Sequence, residues 1–154
     1  MFGRLTSTLI RDCVAAPYTE LNANTQARLP SATDGQWHRA VSDLGLHGIA
    51  EHALISLKRL QLTAAVPEHQ RMDLTARYLR SASRSKTHFA ALDQILGALH
   101  VNDMHPVLMK GIVMADYFYP EPAARSMGDI DVYFSPQEAE AALRVFETAG
   151  FKVH

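Results

Sequence analysis

One stretch, residues 106–134, limits what this chain can be. Val107–Met109 reads as a short apolar strand, Lys110-Gly111 as a turn, and residues 112–118 as a short apolar helix. Residues 119–128 form a loop with Pro120, Pro122 and Arg125, and residues 129–134 (Asp-Ile-Asp-Val-Tyr-Phe) a second strand that opens on two carboxylates. Residues two apart on a strand share a face. Asp129 and Asp131 are therefore expected to project together, while Ile130, Val132 and Phe134 meet a core. Two carboxylates on one face repel each other unless a cation or a proton lies between them. Oxygen ligands of this kind suit Mg²⁺, which is held by one or two carboxylates together with substrate phosphates. Gly111, at a strand-to-helix turn, lets a phosphate approach backbone N–H groups. Lys110 and Arg125 add positive charge, Arg125 with a two-pronged fork.

The rest of the chain narrows the class. Its 154 residues suit one domain, or a helical region plus a partial second one. Hydrophobic residues make up 47% and charged residues 20%, the balance of a soluble globular protein with a substantial core. Fifteen basic and sixteen acidic residues leave a formal charge of −1, so no global basicity points to nucleic acid. The single Cys13 excludes an internal disulfide framework and fits a reducing compartment; it reads as a small core residue. No apolar run reaches transmembrane length, and the N-terminus carries charges where a leader needs an apolar core. The expected location is the cytoplasm, with no membrane partner.

Upstream of the key stretch the pattern is helical. Residues 1–16 read as a short helix with Phe2, Leu5, Leu9 and Val14 on one side, and 17–33 as a polar connector. Asp34 is expected to cap a helix that ends at Gly45, its buried stripe being Trp37, Val41 and Leu44. A second helix covers 46–62, with Ile49, Ala53, Leu54, Leu57 and Leu60. Pro67 is expected at the first position of a long helix reaching Val101, its apolar face built from Met72, Leu79, Phe89, Leu92, Ile95, Leu96 and Leu99. Residues 71–86 hold five basic side chains against Asp73 alone; a helical face of this kind reads first as solvated, with RNA, a nucleotide tail or an acidic partner as the alternatives. None of the eight histidines has zinc-site spacing. Residues 102–105 turn the long helix into the strand. Residues 136–149 form a last helix with Ala139, Ala142, Leu143 and Phe146 buried, and the chain then enters what reads as a further strand. Tyr117 and Tyr119 read as packing residues.

The run Val-Leu-Met-Lys-Gly, then an apolar helix, Tyr-Pro-Glu-Pro, Arg125, Gly-Asp-Ile-Asp-Val-Tyr-Phe and, after a helix, Ala-Gly-Phe resembles the uncharacterised nucleotidyltransferase-like family of the DNA polymerase β-type superfamily. The resemblance covers about residues 89–151. In that superfamily a Gly-Ser-type turn precedes an Asp-x-Asp strand; here Lys110-Gly111 stands in the turn. The resemblance implies a Mg²⁺-dependent nucleotidyltransferase that moves a nucleoside monophosphate from a nucleoside triphosphate to an acceptor, which is a small molecule, an RNA or a protein. It implies two Mg²⁺ ions on Asp129 and Asp131, the catalytic and metal-binding pair, with Lys110, Gly111 and Arg125 holding phosphates. The superfamily takes a third carboxylate from a later strand. The acids after Asp131 are Glu138, Glu140 and Glu147, all in the next helix. The chain therefore reads as the N-terminal part of a longer protein, or as one whose site is completed by a C-terminal continuation or a partner chain.

The expected fold is α+β: a mostly helical region over residues 1–105, then the first part of a nucleotidyltransferase-type mixed sheet with flanking helices over 106–154. The alternative function is a non-catalytic binding or regulatory module of the same fold that acts through its helical half. An Asp-x-Asp glycosyltransferase would need strands and crossover helices upstream, where helices alone are expected. A phosphatase of the Asp-x-Asp type would place its first carboxylate at the end of an apolar strand, whereas Ser126-Met127-Gly128 precedes this pair.

Overall fold

A 34-residue helix, Glu68–Val101 (α4), forms the spine of the molecule. At 1.5 Å per residue it is roughly 50 Å long. The computed structural model describes residues 4–11 and 29–152. Cys13, Val14, the polar connector up to residue 28 and the last two positions lie outside the described residues, as does Phe2. Before the spine come α1 (Arg4–Leu9), α2 (Asp34–Leu46) and α3 (Ala50–Arg59). After it come β1 (Val107–Met109), α5 (Gly111–Tyr117), β2 (Asp131–Tyr133) and α6 (Pro136–Thr148). The two strands pair antiparallel in a two-stranded sheet. The fold is α+β. Among the described residues no helix is long and apolar enough to cross a membrane.

The core follows the spine. Around its N-terminal half, Leu74 meets Leu9, Leu29, Trp37, Val41, Leu44, Leu54 and Leu57 in one cluster. Around its C-terminal half, Leu92 packs on Ile112, Ala115 and Met127, and Leu99 on Met104 and Ala142. Trp37 is fully buried, as its place on the α2 stripe requires.

The buried face of α4 differs from the expected one in its first half. Met72 is 65% and Leu79 60% exposed. The buried positions are Gln70, Leu74, Ser81, Ser85, Leu92 and Leu99, spaced by fours and sevens along one helical stripe. Ser81 and Ser85 are buried because the chain at 121–127 lies against them, which apolar periodicity cannot signal. Ser85 Oγ donates to the Pro122 carbonyl at 3.2 Å, Tyr78 Oη to a Glu121 carboxylate oxygen at 3.2 Å, and Arg84 Nη1 to the Met127 carbonyl at 3.4 Å.

Helix ends also move. Thr33, not Asp34, caps α2; its hydroxyl accepts from the Gln36 N–H while the Gln36 side chain accepts from the Thr33 N–H. The helix runs through Gly45 to Leu46 and is stopped by Gly48, whose φ of +64° suits glycine. The second helix starts at Ala50 rather than 46, which leaves Leu46 exposed. Pro67, at ψ 149°, is the residue ahead of the long helix instead of its first turn. Helix α6 buries Ala142 and packs through Ala141, Val145 and Phe146, while Leu143 is 45% exposed. Phe151 and Lys152 pair with no strand; the Phe151 N–H closes α6 onto the Phe146 carbonyl at 2.9 Å.

The shifted stripe makes a direct test. Leu74→Ala lowers the unfolding free energy by about 2–5 kcal/mol through the cavity it leaves, whereas Leu79→Ala changes it by less than about 0.5 kcal/mol. Denaturant unfolding of both variants checks this, and equal losses would contradict the stripe.

Candidate functional site

The site is built at one end of the two-stranded ribbon. Met109, the last residue of β1, pairs with Asp131, the first of β2; Leu108 pairs with Val132 and Val107 with Tyr133. Antiparallel pairing puts the residues that follow Met109 and those that precede Asp131 beyond the same end of the ladder. Lys110 and Gly111 on one side and Asp129 on the other therefore share that end. The apolar residues that flank β2 lock this register: Ile130, just before it, packs on the Leu92 cluster and Phe134, just after it, on the Leu99 cluster.

Strand pairing begins at Asp131 and not at Asp129, so the two carboxylates are not ladder neighbours as expected; Asp129 lies in the approach to the strand, where it is exposed. Asp131 nonetheless carries a partner of its own, Lys110. Lys110 Nζ lies 2.9 Å from Asp131 Oδ1 and donates a hydrogen bond to it. That hydrogen bond and the charge of Asp131, with a smaller attraction from Asp129, hold the Lys110 ammonium above the ordinary lysine range, against a small opposing effect of desolvation. The repulsion expected between two carboxylates is thus relieved by Lys110 itself. Both Lys110 and Asp131 are partly exposed, at 68% and 31% of the side chain, so water screens the pair and it exchanges readily.

Lys110 also carries the unusual backbone. Its φ of 53° and ψ of −118° lie where glycine is normally required. Gly111 needs its missing side chain for a different reason: a Cβ there would come within 3.3 Å of Met127 Cγ. Glycine at 111 thus lets helix α5 close against the segment that leads into Asp129. The remaining expected site residue, Arg125, ends the short 3₁₀ turn Pro122–Ala124, where its N–H reaches the Pro122 carbonyl. It shares no hydrogen bond or ion pair with the Asp129–Asp131 end. Tyr117 is 77% exposed and so does not pack as expected, because α5 turns it to solvent; Tyr119 packs edge-on to His52 with ring centres 5.4 Å apart.

Two carboxylates at a strand end fit a single Mg²⁺ that keeps waters and takes its other ligands from a phosphate. Among the described residues, no group of three or more His, Cys, Asp or Glu side chains is arranged to hold a metal ion.

Sequence reasoning missed the polar seam that fixes residues 121–127 to the spine. The signal was present as Tyr78, Arg84 and Ser85 on one side of a helix, but their acceptors are a distant carboxylate and two backbone carbonyls.

Comparison with known proteins places the chain at the level of family. No curated protein and no solved structure matches the chain. A family described as uncharacterised nucleotidyltransferase matches residues 33–154, from the cap of α2 through both strands and α6. That is well over half of the chain, and the chain belongs to this uncharacterised nucleotidyltransferase family.

Proposed function

We propose that the protein transfers a nucleoside monophosphate from a nucleoside triphosphate to an acceptor, with Asp129 and Asp131 as its metal-binding pair. Membership of a nucleotidyltransferase family supports nucleotidyl transfer at the coarse level. The observation that carries the finer reading is the Lys110–Asp131 ion pair, with Asp129 beside it at the same ribbon end. On this reading the ribbon end takes cations and, with them, phosphate.

Asp129 and Asp131 would hold Mg²⁺, with its remaining ligands drawn from substrate phosphate and water. Bound there, Mg²⁺ would supply Lewis-acid stabilisation of charge on the phosphoryl oxygens. The chain's own residues do the rest. Asp131 would take the cation in place of the Lys110 ammonium. Lys110, set free, would remain beside Asp131 and could neutralise a phosphate oxygen. The backbone at Gly111 and the guanidinium of Arg125 would add donors for the β- and γ-phosphates. An acceptor oxygen then bonds to the α-phosphorus as the bond to the bridging oxygen breaks. Pyrophosphate leaves with that electron pair, and the acceptor's proton passes to solvent.

Titration calorimetry with ATP, GTP, CTP and UTP in the presence of Mg²⁺ tests the assignment. We expect Mg²⁺-dependent binding of at least one nucleotide, reduced about tenfold or more in Asp129→Asn and in Asp131→Asn, since each removes one charged ligand. Full binding in either variant would rule out the pair as the metal site. A folded wild-type chain that binds none of the four would favour a binding module acting through the helices.

Lys110→Met separates the two roles given to Lys110. Removing the competing ammonium should raise the affinity for Mg²⁺ alone several-fold while lowering that for Mg²⁺–nucleotide; a fall in both would overturn the exchange. The ion pair also has a pH signature. Lys110 has its pKa raised in the folded protein, so its stabilising contribution is complete below the unfolded-state value and is lost as pH rises through the higher folded one. The stability difference between wild type and Lys110→Met should therefore persist through neutral pH and shrink only under strongly alkaline conditions. Unfolding curves measured across that range check it.

A further inference from the structure

The basic face of α4 does not lie open to solvent along its whole length. Arg77, Arg80 and Arg84, at i, i+3 and i+7, line one side of a cavity of about 180 Å³ that Glu51, Ser81 and Ser126 complete. Its remaining wall is the end of α2 at Gly45 and Gly48. A Cβ on Gly45 would overlap the Arg77 guanidinium, so glycine is what lets that group lie against α2. Arg77 spends its Nε on Asp73 at 3.1 Å, and Arg84 one Nη on the Met127 carbonyl. Arg80 makes no hydrogen bond or ion pair with a described residue. Two of the lining side chains are more than nine-tenths buried and hold oxygens without a partner among the described residues: Ser81 Oγ and Glu51 Oε2. Buried oxygens of this kind are costly unless something bonds to them.

We propose that this cavity is a binding site for a protonated phosphate group, either the free ion or the end of a polyphosphate chain. Three guanidinium groups against one carboxylate leave a net positive lining, and planar forks match phosphate oxygens. The volume is below the roughly 300–1,000 Å³ of pockets that take whole small molecules, and suits one tetrahedral anion. Glu51 refines the ligand. Its carboxylate accepts and cannot donate, so an anion with acceptor oxygens alone is repelled there, whereas one with an O–H satisfies it. Inorganic phosphate carries an O–H at neutral pH and sulfate carries none. Ser81, a donor and an acceptor, serves either side of the same ligand.

The site is separate in its residues from the Asp129–Asp131 pair and does not rest on the nucleotidyl-transfer reading. The two are joined through the chain: Ser126 lines the cavity and Arg84 holds the carbonyl of Met127, two residues before Asp129.

Titration calorimetry with inorganic phosphate and with sulfate, at matched ionic strength and without divalent metal, tests it. Phosphate should bind in the millimolar range or tighter, about tenfold or more better than sulfate. Arg80→Gln, on an exposed side chain whose loss leaves the fold intact, should weaken phosphate binding roughly tenfold, the equivalent of one charge-assisted hydrogen bond. Glu51→Gln should bring sulfate up toward phosphate. The double variant Asp129→Asn, Asp131→Asn should bind phosphate as the wild type does. Tripolyphosphate separates the two sources: binding tighter than phosphate assigns the group to a chain end, and weaker binding assigns the free ion. No phosphate binding, equal binding of phosphate and sulfate to the wild type, or an affinity that depends on the aspartates and not on Arg80 would each overturn the proposal.

Discussion

The structure depends on one stripe of one helix. Gln70, Leu74, Ser81, Ser85, Leu92 and Leu99 are the buried side chains of α4, and every other element packs where that stripe allows. Leucines stand where a neighbouring helix brings apolar surface: Leu74 against α2 and α3, Leu92 against α5, Leu99 against α6. Serines stand in the middle, where the 3₁₀ turn at Pro122–Ala124 comes close and where Ser85 donates to the Pro122 carbonyl. A leucine at 85 would fill the space that the chain at Pro122 occupies and leave a backbone carbonyl without its hydroxyl partner. Apolar contacts thus fix the ends of the molecule, and hydrogen bonds fix its centre.

That division explains how the Asp-x-Asp end is held in order. Its strand is three residues long and has a single partner, a ribbon too small to stand alone in water. Its order is borrowed. Ile130 and Phe134 anchor it from below, Met127 wedges it against Gly111, and Arg84 holds the carbonyl just upstream. The residues left over at the top, Lys110, Asp129 and Asp131, are free to be charged because nothing apolar is asked of them. Lys110 accepts a positive φ there, a conformation that costs about 1–3 kcal/mol for a residue with a side chain. A lysine that keeps the conformation places its ammonium 2.9 Å from Asp131.

Much of this was legible in the sequence because it was local. A strand, a turn, a short helix and an acidic strand can be read from 106–134 since each piece is set by neighbours in the chain, and the α+β class follows from a helical pattern giving way to that stretch. Trp37 at i and Val41 at i+4 declare the inner face of α2. The errors arose where a distant segment decides. Met72 and Leu79 look like a core face until the real one is seen to be half polar. Gly45 reads as a helix stop, but its missing side chain accommodates an arginine from another helix, and the stop is three residues on. Asp129 and Asp131 read as paired on one strand, yet pairing starts only at the second, because β1 runs out at Met109.

The arginines show the same limit from the other direction. Their spacing on α4 says that Arg77, Arg80 and Arg84 share a face; it cannot say whether that face meets water or a wall. The wall exists because α2 ends on glycines and because the seam at Ser85 and Arg84 draws residues 121–127 against the helix, bringing Ser126 to the rim. A charge cluster on a helix is ordinarily solvated and specific for nothing. Enclosed on a second side, with a carboxylate and a hydroxyl already buried beside it, the same cluster has a shape and a donor–acceptor pattern to match. Selectivity here is therefore a property of the packing around the spine, and the contacts that hold the acidic strand in place are among those that shape the basic cavity.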